Sequence, residues 1–164
     1  MMQTESGAMR ALTLRLQDEI FAIEAGSVRE ILDLVPITEV PNAPAFVGGL
    51  INVRGRVVPL ADLRVMFDMD RPPPDEDTRI VVVEIDIDGE PTVAGILADK
   101  VHDVTDIDAA VIQDAPRVGM RWRPEFVRAI GRRNGDFVVI PNLERIFETQ
   151  GRRSASSAEE RAAS

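Results

Sequence analysis

Cysteine is missing from this 164-residue chain, tyrosine is missing too, and histidine occurs once, as His102. Without cysteine there is no disulfide framework and no thiolate to act as nucleophile or metal ligand, which fits a reducing compartment. Nowhere do 18 apolar residues run together, so no segment reads as a membrane-spanning helix, and Met1 to Arg10 lacks the apolar centre of a signal peptide. A soluble, cytoplasmic protein is the expectation. Positive charge is also short: 19 Lys and Arg face 28 Asp and Glu, giving −9 and a pI of about 4.7. That balance argues against a nucleic-acid footprint over the whole surface. Arginine is nonetheless concentrated at Arg117, Arg121, Arg123, Arg128, Arg132 and Arg133, with Trp122 among them. The patch reads as a solvated loop face or as a docking patch.

The usual signs of catalysis and of metal or cofactor binding are equally sparse. His102 is followed by Asp103, but no nucleophile is placed beside the pair. Glu84, Asp86, Asp88 and Gly89 imitate the start of a calcium loop, yet the position that needs a bidentate Glu is Gly95. Gly48, Gly49 and Gly55 are not spaced as a phosphate cradle. The expectation is therefore no catalytic residue, no metal and no cofactor.

What the chain does contain is a repeat. Shifted by 80 positions without a gap, Phe46 to Phe67 falls on Phe126 to Phe147, with six identities in 22 pairs, against roughly one or two expected by chance. The identical pairs are Phe46/Phe126, Val47/Val127, Gly55/Gly135, Val58/Val138, Leu63/Leu143 and Phe67/Phe147. The paired glycines fall where a hairpin needs positive φ, and Asn134-Gly135 is a favoured hairpin dipeptide. Asp62 and Asn142 are N-cap residues, each followed by an apolar triad at i, i+3 and i+4. Each copy thus specifies a hairpin ending in a small helix.

In order along the chain, Ala11 to Gln17 alternates, Asp18-Glu19 turns, and Ile20 to Ile23 returns as a hairpin. Ser27 either caps a short helix through Val28, Ile31 and Leu32 or lies in an irregular strand. Val35 to Pro41 is extended by its prolines. Residues 68–78 form a charged, Pro-rich connector between the copies. Arg79 to Ile87 is the strongest strand, and Asp88-Gly89 turns it into Thr92 to Leu97. A second self-match at offset 73 pairs Ile23/Ile96, Ala25/Ala98, Val28/Val101, Glu30/Asp103 and Ile31/Val104. The second copy therefore carries an insertion, placed within Asp106 to Trp122. Residues 1–8 read as a flexible N-terminus and 151–164 as a disordered tail, leaving one domain over 9–150. Short strands with turn signals predict an all-β fold of two small five-stranded barrels, with strand exchange between lobes possible.

Two charged residues stand out. Glu30 lies in a segment expected to line the interface of the lobes, and Arg54 sits at a hairpin turn. The repeat has Asn134 opposite Arg54, so the turn does not itself require a guanidinium. A specific pairing or a recognition role follows.

Pro41 to Arg64, with Asn52-Val-Arg-Gly-Arg-Val-Val-Pro-Leu-Ala-Asp-Leu-Arg64 at its core, closely resembles the signature of CheW, the coupling-protein family of bacterial chemotaxis. The resemblance extends over about residues 9 to 150 and includes Val28 to Ile31 and Val93 to Ile96. It implies two SH3-like five-stranded β-barrel lobes with short helices. It also implies a non-enzymatic adaptor, joining the cytoplasmic signalling tips of chemoreceptors to the regulatory domain of the CheA histidine kinase. The receptor-facing groove would involve Val28, Glu30, Gly49 and Arg54, with Glu30 and Arg54 paired across it, and Leu50 and Val53 as apolar lining. The family's kinase contact uses the barrel ends, which no short motif marks. A small barrel binding nucleic acid through Trp122 and the Arg117 to Arg133 patch is the alternative.

Overall fold

Among the described residues, the two copies fold alike at the positions that repeat. In the computed structural model, which describes residues 8–41, 47–108, 124–133 and 135–148, the hairpin of β4 (Val47–Val53) and β5 (Arg56–Ala61) recurs as β9 (Val127–Arg133) and β10 (Asp136–Pro141). Gly55 and Gly135 both turn at positive φ, 82° and 85°. Asp62 accepts from the Arg64 N–H at 3.0 Å, and Asn142 from the Arg145 N–H at 3.0 Å, so both caps close the first turn of a short helix. The first helix is Leu63–Met66 and the second covers 143–148.

The remaining strands are β1 (Ala8–Leu16), β2 (Glu19–Glu24), β3 (Val28–Asp33), β6 (Arg79–Ile87), β7 (Glu90–Ala98) and β8 (Lys100–Asp108). Ser27 caps no helix. It ends a one-turn 3-10 helix, Ala25–Ser27, and the strand begins at Val28. Asp88 and Gly89 form the β6–β7 turn, both at positive φ. The inferred insertion falls largely on residues outside those described, since β8 continues through Asp108.

The strands are exchanged between the copies. One lobe is a closed barrel, β1-β2-β10-β9-β8, and the other a five-stranded sheet, β3-β6-β7-β5-β4. Each takes two strands from one copy and three from the other. The connections explain why: β7 and β8 are separated by Asp99 alone, fewer residues than an antiparallel reversal uses. The chain therefore runs on into the neighbouring sheet. The second lobe curls without closing. β8 has nine residues and reaches β9 at Asp108↔Arg132, whereas β3 has six and stops short of β4. Pro36 follows and cannot donate to a ladder, and among the described residues the seam is crossed by one backbone bridge, Thr38↔Leu50.

Three apolar clusters result. Ala11, Ala22, Ile107 and Ile140 fill the closed barrel, and Ile51, Val53, Val58, Ile80 and Val82 fill the open one. The largest lies where the two lobes meet and includes Leu14, Phe21, Leu63, Phe67, Val81, Ile96, Phe126 and Ile146. Phe21 meets Phe67 edge-on, with centroids 5.1 Å apart.

Candidate functional site at the open seam

The incomplete seam of the second lobe gathers most of the residues singled out from the sequence. Arg54 occupies the first central position of the β4–β5 turn at φ 52°, a left-handed conformation that a long side chain adopts at a cost. Asn52 offsets it locally: its Oδ1 accepts from the Gly55 N–H at 2.9 Å. Across the seam, Arg54 Nε donates to Glu30 Oε2 at 3.0 Å and Nη2 to Oε1 at 3.2 Å, a two-pronged ion pair. Glu30 raises the Arg54 pKa, first through this hydrogen bond and then through its charge. The Arg54 side chain is 80% exposed, so the pair contributes little to stability and presents a guanidinium to solvent.

The pair stands at the rim of a groove of about 330 Å³ lined by Arg29, Glu30, Val53, Arg54, Arg56, Val58, Val82, Glu84 and Val93. A bulge in β3 separates Val28 from Glu30. Val28 consequently packs on the core between the lobes, while Glu30 lines this groove. Glu30 thus faces the mouth of one lobe, not the interface of the two. Val53 is buried and forms part of the floor.

Leu50 and Gly49 lie close by but not in that groove. Strand alternation turns Leu50 to the opposite face of β4, where it lines a second groove with Val35, Pro36, Thr38 and Val57. Gly49, at φ 146°, has no room for a side chain: a Cβ there would stand 2.6 Å from both the Thr38 carbonyl oxygen and Ile37 Cγ2. Its bareness lets residues 37–38 press against β4 and exchange two hydrogen bonds with Leu50, of 2.9 and 2.8 Å.

One feature of the signature proves structural. Arg64 is buried on the short helix, with Nε and Nη2 each donating to Asp62 at 2.9 Å and Nη1 to Asp99 Oδ1 at 2.8 Å. The Asp62 hydrogen bonds hold the Arg64 pKa above its ordinary value, against the effect of burial. Asp99 Oδ2 in turn accepts from the Gln17 N–H at 2.7 Å. The network joins the helix to both strand connections. Sequence reading missed Asp99, because the network joins segments 35 and 82 positions apart.

Other candidates do not assemble. His102 is exposed on β8. Partial burial of its ring lowers its pKa below 6.5, followed by Lys100, Arg15 and Arg133, with Asp103 opposing. The folded value lies below the unfolded one, so the stability tied to neutral imidazole is present above about pH 6.5. It is lost as pH falls through the folded value. An NMR titration of this single histidine is expected to show a midpoint below 6.5; a midpoint above that value would contradict the assigned environment. Of the arginine-rich patch, Arg117, Arg121, Trp122 and Arg123 lie outside the described residues, as does Asn134. The described members are engaged: Arg128 with Glu144, Arg133 with Asp103, and Arg132 over the Phe137 ring at 5.1 Å.

The chain as a whole is similar to known proteins over most of its length. Residues 10–151 match the CheW-like domain family. A chemotaxis protein CheW from Rhizobium meliloti is 29% identical over 150 residues, covering 92% of this chain and 94% of its own. One from Helicobacter pylori is 30% identical, covering 80% and 76%. The crystal structure of the scaffolding protein TtCheW from Thermoanaerobacter tengcongensis superposes with a TM-score of 0.73 at 30% identity, over 85% of this chain and 92% of that one.

Proposed function

The chain belongs to the CheW-like domain family, and from that premise we propose that it is a non-enzymatic adaptor of chemotaxis signalling. In this reading it works in the cytoplasm at receptor arrays, coupling the signalling tips of chemoreceptors to a CheA-type histidine kinase. Among the described residues no helix is long and apolar enough to cross a membrane, so the membrane would be reached through the receptors.

The observation that carries the proposal is the Glu30–Arg54 pair at the rim of a groove floored by Val53, Val58 and Val82. Helical partners dock in this way, with apolar side chains laid into a groove and charges matched at its rim. Gly49 supports the site indirectly by holding the neighbouring segment against β4. Val28 and Leu50 flank it, one at the core between the lobes and one in the adjoining groove.

The turn allows a clean test. Arg54→Asn installs the residue that the repeat carries at the same place, and Asn tolerates the left-handed conformation better than Arg. The variant is expected to melt at the same temperature or higher, yet to bind receptor signalling-tip fragments roughly tenfold more weakly. Undiminished binding would remove Arg54 from the site. Co-sedimentation of the protein with receptor fragments and kinase tests the adaptor role itself, which requires a ternary complex.

A further inference from the structure

The charges around the seam groove do not balance. Arg54 is matched by Glu30 and Arg29 by Glu84, which leaves Arg56. Among the described residues Arg56 has no carboxylate or carbonyl partner, although it is exposed and lines the same groove. The groove therefore carries three cationic side chains, Arg29, Arg54 and Arg56, against two carboxylates, Glu30 and Glu84, and the surplus one stands beside an apolar floor.

The internal repeat supplies the control. Arg56 is the first residue of β5, directly after the glycine of the turn, and its counterpart on β10 is Asp136, also exposed. The strand after the turn glycine forms with either sign of charge, so folding does not require a cation there.

We infer that Arg56 is a further recognition residue of this groove, taking a carboxylate from an acidic side chain on the amphipathic helix that docks there. The inference rests on the proposed receptor site and adds the chemistry its occupant must carry. A guanidinium fork grips a carboxylate with two parallel hydrogen bonds, and the apolar floor strengthens that contact by excluding water. A helix fits better than an added strand, because Thr38 already takes the outward N–H and C=O of Leu50 midway along β4 and so interrupts any continuous pairing on that edge.

The test measures affinity for receptor signalling-tip hairpin fragments with wild-type protein, Arg56→Lys, Arg56→Gln, Arg56→Glu and Arg54→Asn. The expected order is Lys within about threefold of wild type, Gln roughly fivefold weaker, and Glu at least about thirtyfold weaker, with melting temperatures unchanged. Added salt should weaken wild type and Arg56→Lys more steeply than Arg56→Gln. If Arg56→Glu binds within about twofold of wild type while Arg54→Asn is weakened, the groove stands and the role of Arg56 is overturned. If wild-type protein does not bind these fragments, the receptor site falls and this inference with it.

Discussion

Replacing Arg64 with alanine is expected to cost about 3–5 kcal/mol of folding stability, because it leaves one buried and one partly buried carboxylate with no cation between them. Asp62 and Asp99 are 10% and 18% exposed at their side chains, and both face Arg64. Against a total of about 5–15 kcal/mol for an ordinary domain, the loss would bring the variant close to unfolding. Urea titration followed by tryptophan-independent circular dichroism reads it directly as a lower midpoint. Arg64→Lys should fall between, since an ammonium keeps the charge but cannot hold Asp62 with two parallel bonds while reaching Asp99. A deficit under about 1 kcal/mol for the alanine variant would mean that the network does not hold the helix to the β1–β2 and β7–β8 connections. The repeat shows that the short helix does not itself need this arginine: Glu144 stands at the corresponding place, exposed and paired with Arg128.

Gly49→Ala is expected to cost about 2–4 kcal/mol, the sum of backbone strain and the two Thr38–Leu50 hydrogen bonds that must give way. The obstacle is a backbone carbonyl, which cannot rotate aside as a side chain would. Gly48→Ala is the control, since a Cβ there would meet only the Leu60 carbonyl oxygen at 3.7 Å and the Leu60 side chain at 4.0 Å. Hydrogen exchange should localise the damage, with the Leu50 amide exchanging faster in Gly49→Ala and unchanged in Gly48→Ala. Equal stability of the two variants would show that residues 37–38 do not need to approach β4.

Much of the candidate site was legible because its residues are close in sequence. Asn52, Arg54 and Gly55 lie within one turn, and the comparison with Asn134 marked Arg54 as surplus to that turn. Glu30 was identified, but its direction was not, because a bulge between Val28 and Glu30 sends them to different sides of the sheet. Bulges leave no residue pattern as clear as a turn glycine does. Grouping Leu50 with Val53 likewise overlooked strand alternation, which puts three residues' separation on opposite faces.

The amino-acid sequence alone determined the duplication, the hairpin turns at Gly55 and Gly135, the caps at Asp62 and Asn142 and the all-β class. Each depends on contacts within a few residues or on a period that the chain displays openly. Only the tertiary structure decided which copy each strand joins, that one barrel closes while the other remains an open sheet with a Thr38–Leu50 bridge at its seam, and that Asp99 meets Arg64. Homologous copies offer nearly equal pairing surfaces to one another, so the choice falls to the one-residue connection at Asp99 and to the length of β3. Those are constraints of chain geometry across the whole fold, and local residue preferences do not encode them.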